Sequence, residues 1–120
     1  MAARRDPVVL LPRFTTLVGG AAPFRTLPLE VRAYSGADVT VWRNALIGTS
    51  TSFQISFLES SDRDSWAPCA GGSGSDPGED EEVEYVLGFD KQWFRVEVQC
   101  LGTNPGVTCW AQGYLLRREQ

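Results

Sequence analysis

Apolar and polar residues alternate with a period of two along much of this chain. Residues 29–33 and 51–59 each place their apolar side chains on one face, and residues 38–46 are rich in β-branched and aromatic side chains. Such alternation is typical of half-buried β-strands. Apolar residues at helical spacing never persist over three turns, so the pattern predicts an all-β fold with negligible helix.

Turn-forming residues separate the predicted strands. Residues 48–50 (GTS) lie between 38–46 and 51–59, which predicts a hairpin turn there. Many short strands joined by turns indicate an antiparallel β-sandwich, jelly-roll or Ig-like, of about 7–8 strands. We expect this sandwich domain to span residues 29–120.

The clearest strand pattern lies near the end of the sequence. Residues 92–101 and 107–117 are predicted to form two long strands joined by a turn at 102–106 (GTNPG). A hairpin symmetric about this turn places Cys100 opposite Cys109 on an apolar face. The two cysteines then form a cross-strand disulfide or pack as free thiols, and a reducing cytosol favours the free thiols.

The opposite face of the predicted hairpin carries Trp110 and Tyr114. Aromatic side chains on a sheet face can anchor a protein interface or stack on sugar rings. Burial in the core is the alternative role for Trp110. Trp110 and Tyr114 are therefore the candidate residues of a surface that binds a partner or a glycan.

The first 28 residues differ from the rest because they contain four prolines, at positions 7, 12, 23 and 28. Proline fixes φ and removes a backbone donor, so long regular strands are not expected here. We predict an extended N-terminal arm over residues 1–28 with one or two short strands. It either reaches over a neighbouring subunit or forms a ragged first strand of its own domain. The apolar residues expected to bind a partner are Val8, Leu10, Phe14, Leu17 and Phe24.

Residues 60–82 interrupt the strand pattern with a tract rich in glycine, serine and acidic residues. This composition is typical of flexible, solvated segments. We predict a long acidic loop that projects from the domain.

Length and charge exclude several classes of protein. The 120 residues fit one domain, and the net charge of -4 includes no basic tract that would favour nucleic acid. The longest apolar runs fall far short of the about 20 residues of a membrane span. We therefore expect neither nucleic acid nor a membrane as a partner, and we expect synthesis in the cytoplasm without export.

The residues that carry chemistry are sparse. The sequence has no histidine and three cysteines, so a serine or cysteine nucleophile would have no imidazole base. Cys69 has no net positive charge nearby to stabilise a thiolate. Asp62, Asp64 and Asp76 could ligate calcium, but their spacing is not that of an EF-hand. No phosphate-binding glycine motif occurs. We predict no catalytic residue, no cofactor and no metal, and hence a protein that is not an enzyme.

Three segments together resemble a small β-sandwich of tailed-phage structural proteins. The segments are DVTVWRNALIGTS, then TSFQISFLESSDRDSW with its Glu-Ser, Asp and Trp, and then QWFRVEVQCLGTNPGVTCWAQGYLLRR with its Arg-Val centre and Gly-Thr-x-Pro turn. The similarity covers residues 38–118, about two-thirds of the chain. The long Gly/Ser/Asp/Glu insertion after Trp66 departs from the pattern.

The resemblance implies a virion structural protein with no catalytic residues. Our first hypothesis is a bacteriophage capsid decoration or cement protein on the capsid exterior, made in the host cytoplasm. Its partners would be the major capsid protein and sister decoration subunits, with a homo-oligomer such as a trimer expected. The alternatives are a tail or baseplate accessory protein and a carbohydrate-binding β-sandwich module.

Overall fold

The computed structural model describes residues 4–19 and 22–118. Over these residues the protein is all-β, as predicted, and contains no helix; accordingly no helix there is long and apolar enough to cross a membrane. The eight strands are β1 (Arg5–Val18), β2 (Phe24–Arg25), β3 (Leu29–Glu30), β4 (Tyr34–Arg43), β5 (Ile47–Ser60), β6 (Ala67–Pro68), β7 (Glu82–Gly88) and β8 (Trp93–Arg117).

Strand β8 is the centre of a single antiparallel sheet and is 25 residues long. Strands β1, β2 and β3 run antiparallel along one flank of β8. On the other flank, β5 pairs with the first part of β8 and β4 pairs with its last part. Strands β6 and β7 extend the sheet beyond β5 and β4. We call residues 93–101 and 107–117 the first and second halves of β8.

The predicted hairpin between the two halves of β8 is wrong. Cys100 lies opposite Phe53 of β5, whereas Cys109 lies between Thr15 of β1 and Arg43 of β4. Alternation had predicted correctly which side chains face inward, but it carries no information about the partner strand. The segment 102–106 continues β8 and pairs with the start of β5 instead of reversing the chain.

The sheet curls until the two ends of β8 lie close together. Glu30 pairs with Trp93 at the start of β8, and Tyr34 pairs with Arg117 at its end. A straight strand of this length would extend roughly 80 Å. The four steps from Glu30 to Tyr34 cover at most about 14 Å, so β8 must fold back on itself.

The three residues between β3 and β4, residues 31–33, hold the two ends together, and we call them the closing turn. The N–H of Val31 donates to the carbonyl of Gln92 at 2.7 Å, and the N–H of Arg118 donates to the carbonyl of Ala33 at 2.9 Å. Val31 is fully buried. The closing turn therefore connects the start of β8 to its end.

One hydrophobic core lies inside the curl. It is formed by inward-facing residues of both halves, among them Val39, Val41, Phe53, Ile55, Phe57, Phe94, Val96, Val98, Cys109 and Ala111. Phe57 of β5 contacts Tyr85 of β7 with ring centroids 5.3 Å apart, although β8 and β4 lie between these strands in the sheet. Strands β5 and β7 therefore pack against each other across the core.

The expectation of short strands in the first 28 residues is also wrong, because β1 is 14 residues long. Pro7 and Pro12 are tolerated there because β1 pairs only with β8, and an edge strand does not need every donor. Register shifts between Val9 and Leu11, and between Leu11 and Thr15, interrupt the ladder. The described part of this segment thus forms the edge of its own domain, which was the second alternative.

The acidic Gly/Ser segment does not project from the domain. The N–H of Ile55 donates to the carbonyl of Ser75, and the N–H of Phe57 donates to the carbonyl of Gly72. Cys69 is buried in the core. The segment therefore covers the outer edge of β5, a backbone pairing that composition does not reveal.

The predicted hairpin turn at residues 48–50 is wrong as well. Strands β4 and β5 do not pair with each other, because each pairs with β8. Gly48 and Ser50 instead have positive φ angles of 98° and 54° at two register shifts of β5. They follow the bend of β8 rather than reversing the chain.

Candidate binding groove on the outer face of the sheet

The outward-facing side chains of β7, β4, β8 and β1 form a groove of about 520 Å³. The pairing of these strands arranges the side chains in rows that cross the sheet. Three such rows are Glu82–Trp42–Trp110, Glu84–Thr40–Gln112–Val9 and Val86–Asp38–Tyr114–Pro7. Trp110 and Tyr114 stand four residues apart on β8 and line the groove with Gln112 between them.

A continuous stack of aromatic and cationic side chains forms one side of the groove. Trp42 and Trp110 have ring centroids 6.5 Å apart and planes inclined by 17°. Phe14 stands edge-on to Trp42 at 5.8 Å, and the guanidinium of Arg13 lies 4.5 Å from the centroid of Trp110. The indole N–H of Trp42 donates to Asp80 at 3.0 Å. These contacts fix the ring orientations before any ligand binds.

The irregularity in β1 brings Arg13 and Phe14 onto this stack. Phe14 has a φ of 60°, which is unusual for a residue other than glycine. The hydroxyl of Thr15 donates to the carbonyl of Pro12 at 2.6 Å and closes a tight local turn. The bulge re-aims two side chains that a regular strand would send to opposite faces.

Trp110 and Tyr114 differ in accessibility. Only 4% of Trp110 is exposed, because Arg13 and Trp42 cover it, whereas 46% of Tyr114 is exposed. Arg5 lies 5.8 Å from the ring centroid of Tyr114 and forms an ion pair with Asp38 at 3.4 Å. Tyr114 is therefore the aromatic ring that a ligand in the groove can contact.

The five apolar residues predicted to bind a partner from the arm have different surroundings. Val8, Leu10 and Leu17 are half-buried against the core, and Val8 also lines the groove. Phe14 is 66% exposed beside the groove. Phe24 is exposed on β2, opposite Val98 in the first half of β8. The structure thus brings Val8 and Phe14 to the groove.

The cysteines are buried and free, so Cys100 and Cys109 are not joined in this structure. Burial raises the pKa of Cys69 to about 12. Burial, together with the neighbouring Cys100, raises the pKa of Cys109 to about 11. Burial likewise raises the pKa of Cys100. The thiolate, which is the reactive form, is therefore disfavoured at all three positions.

The acidic residues considered for calcium have structural partners. Asp62 accepts the backbone N–H groups of Asp64 and Ser65 at 2.9 Å each. Asp76 accepts two bonds from Arg43, at 2.7 and 3.0 Å. Within residues 4–19 and 22–118, no group of three or more acidic or cysteine side chains is placed to hold a metal ion.

Sequence reasoning missed Arg13 and Gln112 as residues that line the groove, and it did not place Trp42 against Trp110. Trp42 could have been found, because in residues 38–46 it alternates with the inward-facing Val39 and Val41. Arg13 could not have been found from the sequence, since only the bulge in β1 places it over Trp110.

Comparisons of the chain with protein-family models, with curated proteins and with solved structures found no match.

Proposed function

We propose that this chain is a non-enzymatic virion structural protein that decorates a bacteriophage capsid and binds the major capsid protein through the groove. In this proposal the curled sheet acts as a two-layered β-sandwich, a view supported by the contact between Phe57 and Tyr85. The phage assignment is supported by the resemblance of residues 38–118.

The observation that carries the binding role is the exposed apolar surface around the groove. Val9, Phe14 and Val86 are each more than 60% exposed on the same outer face as Tyr114. Contiguous exposed apolar surface rimmed by charged residues is typical of protein interaction sites. The fixed stack of Phe14, Trp42 and Trp110 provides a rigid surface, which lowers the entropy lost on binding.

A protein partner fits this groove better than a glycan. Sugar rings stack on open aromatic faces, and Arg13 covers the face that Trp110 would offer. A glycan remains a second candidate because Thr40, Gln112 and Glu82 place polar groups beside the exposed ring of Tyr114. Titration with soluble oligosaccharides decides this point: saturable binding lost in Tyr114→Ala would favour the glycan.

The test of the virion role is fractionation of particles. A tagged chain is produced in cells that assemble the phage, and particles are separated on a density gradient into heads and tails. We expect the chain in the head fraction at a fixed ratio to the major capsid protein. Recovery in the tail fraction would support the tail or baseplate alternative. Recovery only as free protein beside intact particles would contradict both.

Substitutions in the groove test whether binding to the phage head depends on this surface. Val9→Asp places a charge in the apolar surface and should lower head occupancy about tenfold or more. Leu27→Asp is the matched control, because Leu27 is 89% exposed and lies outside the groove. It should leave occupancy unchanged.

A further inference from the structure

A second surface lies on the outer face of the first half of β8, away from the groove. Three consecutive outward positions there each contact a side chain from an adjoining segment. The guanidinium of Arg63 lies 4.7 Å from the ring centroid of Trp93. That of Arg95 lies 4.1 Å from the ring centroid of Trp66. We call this surface the cationic face; its residues are Arg25, Arg63, Arg95, Trp66, Trp93 and Glu97.

Arg95 is the unusual residue of the cationic face. Its Nε is enclosed and has no hydrogen-bond acceptor, and the same holds for the indole nitrogen of Trp66. Among residues 4–19 and 22–118, no carboxylate lies within ion-pair distance of Arg95. The nearby Glu97 pairs with Arg25 at 3.4 Å instead.

A partly enclosed arginine without an ion-pair partner favours binding of an anionic group. Its charge is partly withdrawn from water by Trp66, so a carboxylate that docks there meets weakly hydrated donors. Burial, and then the charge of Arg25, lower the pKa of Arg95, and the opposing effect of Glu97 is the smallest of the three. Arginine and tryptophan together are also the residues most enriched at the centres of protein interfaces.

The chain itself carries the complementary surface. Five of residues 79–84 are acidic, and all five are exposed at or just before β7. Among the described ion pairs, none involves these residues. We call them the acidic edge. They belong to the part of the sheet beside β4, whereas the cationic face lies beside β5, at the other end of the strand order.

We propose that the acidic edge of one copy of this chain docks on the cationic face of the next copy, with a carboxylate on Arg95. Because the two surfaces differ, the association is head-to-tail and extends to a ring or a chain of subunits. The inference rests on the proposed function only in taking sister subunits as partners. It requires no capsid, although Glu82 of the acidic edge also lines the groove.

The experiment measures the mass of the purified full-length chain by sedimentation equilibrium over a range of concentrations. We expect the average mass to rise with concentration at low ionic strength and to fall toward the monomer at high ionic strength, because exposed charges are screened. Arg95→Glu should remain monomeric under both conditions. Arg4→Glu is the matched control, since it makes the same change of charge at an exposed residue just before β1, beside the end of β8, and it should associate like the parent chain.

Mixing two variants tests the pairing itself. The double variant Glu81→Lys with Glu82→Lys should be monomeric alone, as should Arg95→Glu. Mixed together, they should associate, because each surface again meets one of opposite charge. Circular dichroism confirms folding, and Arg95→Gln replaces Arg95→Glu if the latter does not fold.

Three outcomes would overturn the proposal. They are a parent chain that stays monomeric at every concentration at low ionic strength, association unchanged by substitution of Arg95, and a mixture of folded variants that does not associate. Each is distinct from failure of the virion role, because no particle is present in the assay.

Discussion

The pairing of Arg43 with Asp76 shows how a single side chain fixes a segment of irregular backbone. The side chain of Arg43 is only 8% exposed, and two of its nitrogens bind the two oxygens of Asp76. This bidentate contact ties the glycine-rich segment to the end of β4. It adds a side-chain contact to the backbone hydrogen bonds that hold the segment along β5.

Removing the carboxylate of Asp76 should therefore lower the free energy of unfolding by more than the partial exposure of this residue indicates. Asp76→Ala leaves the guanidinium of Arg43 buried without a counter-charge, and we expect a loss of about 2 kcal/mol, discounted for the solvent that reaches Asp76. Urea unfolding measures the loss. Asp64→Ala, at an exposed residue of the same loop region, should change stability little.

The turn after β5 provides a prediction of pH dependence. Hydrogen bonds from the N–H groups of Ser65 and Asp64, and from the hydroxyl of Ser60, lower the pKa of Asp62 to about 2 from its usual 3.8. The folded pKa is depressed, so the stabilisation is present above pH 4 and is lost as the pH falls toward 2.

In Asp62→Asn the amide oxygen can still accept these bonds, but it does not titrate in this range. The urea midpoint of the variant should therefore fall less between pH 4 and pH 2 than that of the parent chain. Asp64→Asn should retain the parent slope. Equal slopes for Asp62→Asn and the parent chain would contradict the assignment.

Among the elements, β1 forms an edge of the sheet and also contributes to the core, although its four-proline segment was expected to be either an arm or a first strand. Pro7 and Pro12 remove donors from its free edge, which discourages pairing with another chain. Leu11 is nevertheless 2% exposed and belongs to the core. The segment is thus both a protected edge and part of the fold of its own domain.

Matched substitutions in β1 separate these roles. Leu11→Ala should destabilise the chain by about 2–4 kcal/mol, because it removes buried apolar volume. Val9→Ala, at a position 61% exposed, should change stability by less than about 0.5 kcal/mol. Thermal or urea unfolding compares the two. An unchanged stability for Leu11→Ala would restore the hypothesis of a free arm.

The bend in β8 depends on a glycine. Gly102 has a φ of 147°, and a Cβ there would lie 2.9 Å from the Cα of Thr51. Gly78 also has a positive φ, but its Cβ would meet only the end of the Glu81 side chain. Gly102→Ala should therefore lower the unfolding midpoint clearly more than Gly78→Ala, which should cost about 1 kcal/mol.

At the scale of elements, alternation predicted the faces of β5 and β8 correctly and their partners wrongly, and in residues 29–33 it failed, because the strand ends at Glu30 and Leu29 is exposed. Phe53, Ile55 and Phe57 were placed on one apolar face, and each is at most 4% exposed. The pairing of Cys100 with Cys109 failed because a turn-like GTNPG segment can also bend a continuous strand. Whether such a segment reverses the chain is decided by competing strands elsewhere, here β1 and β4 on the flanks of the second half.

At the scale of the whole molecule, the curl and the groove arise from contacts between distant parts of the sequence. The closing turn is hydrogen-bonded to both Gln92 and Arg118, and no local sequence pattern in residues 31–33 predicts these contacts. Alternation correctly placed Trp110 and Tyr114 on the face opposite the buried Cys109. The cover that Arg13 provides for Trp110 depends on a bulge in β1, so its accessibility could not be predicted.

The central position of β8 has a consequence for synthesis on the ribosome. Within the described residues, strands β1, β2 and β3 pair only with β8, and the β4–β7 and β5–β6 pairs are joined to each other through β8, which is translated last. Until residues 93–117 emerge, the first three strands therefore stay unpaired and the two strand pairs stay separate, accessible to chaperones and proteases. Stalled nascent chains that expose residues 1–92 should be digested rapidly by added protease, whereas those that expose residues 1–118 should resist it.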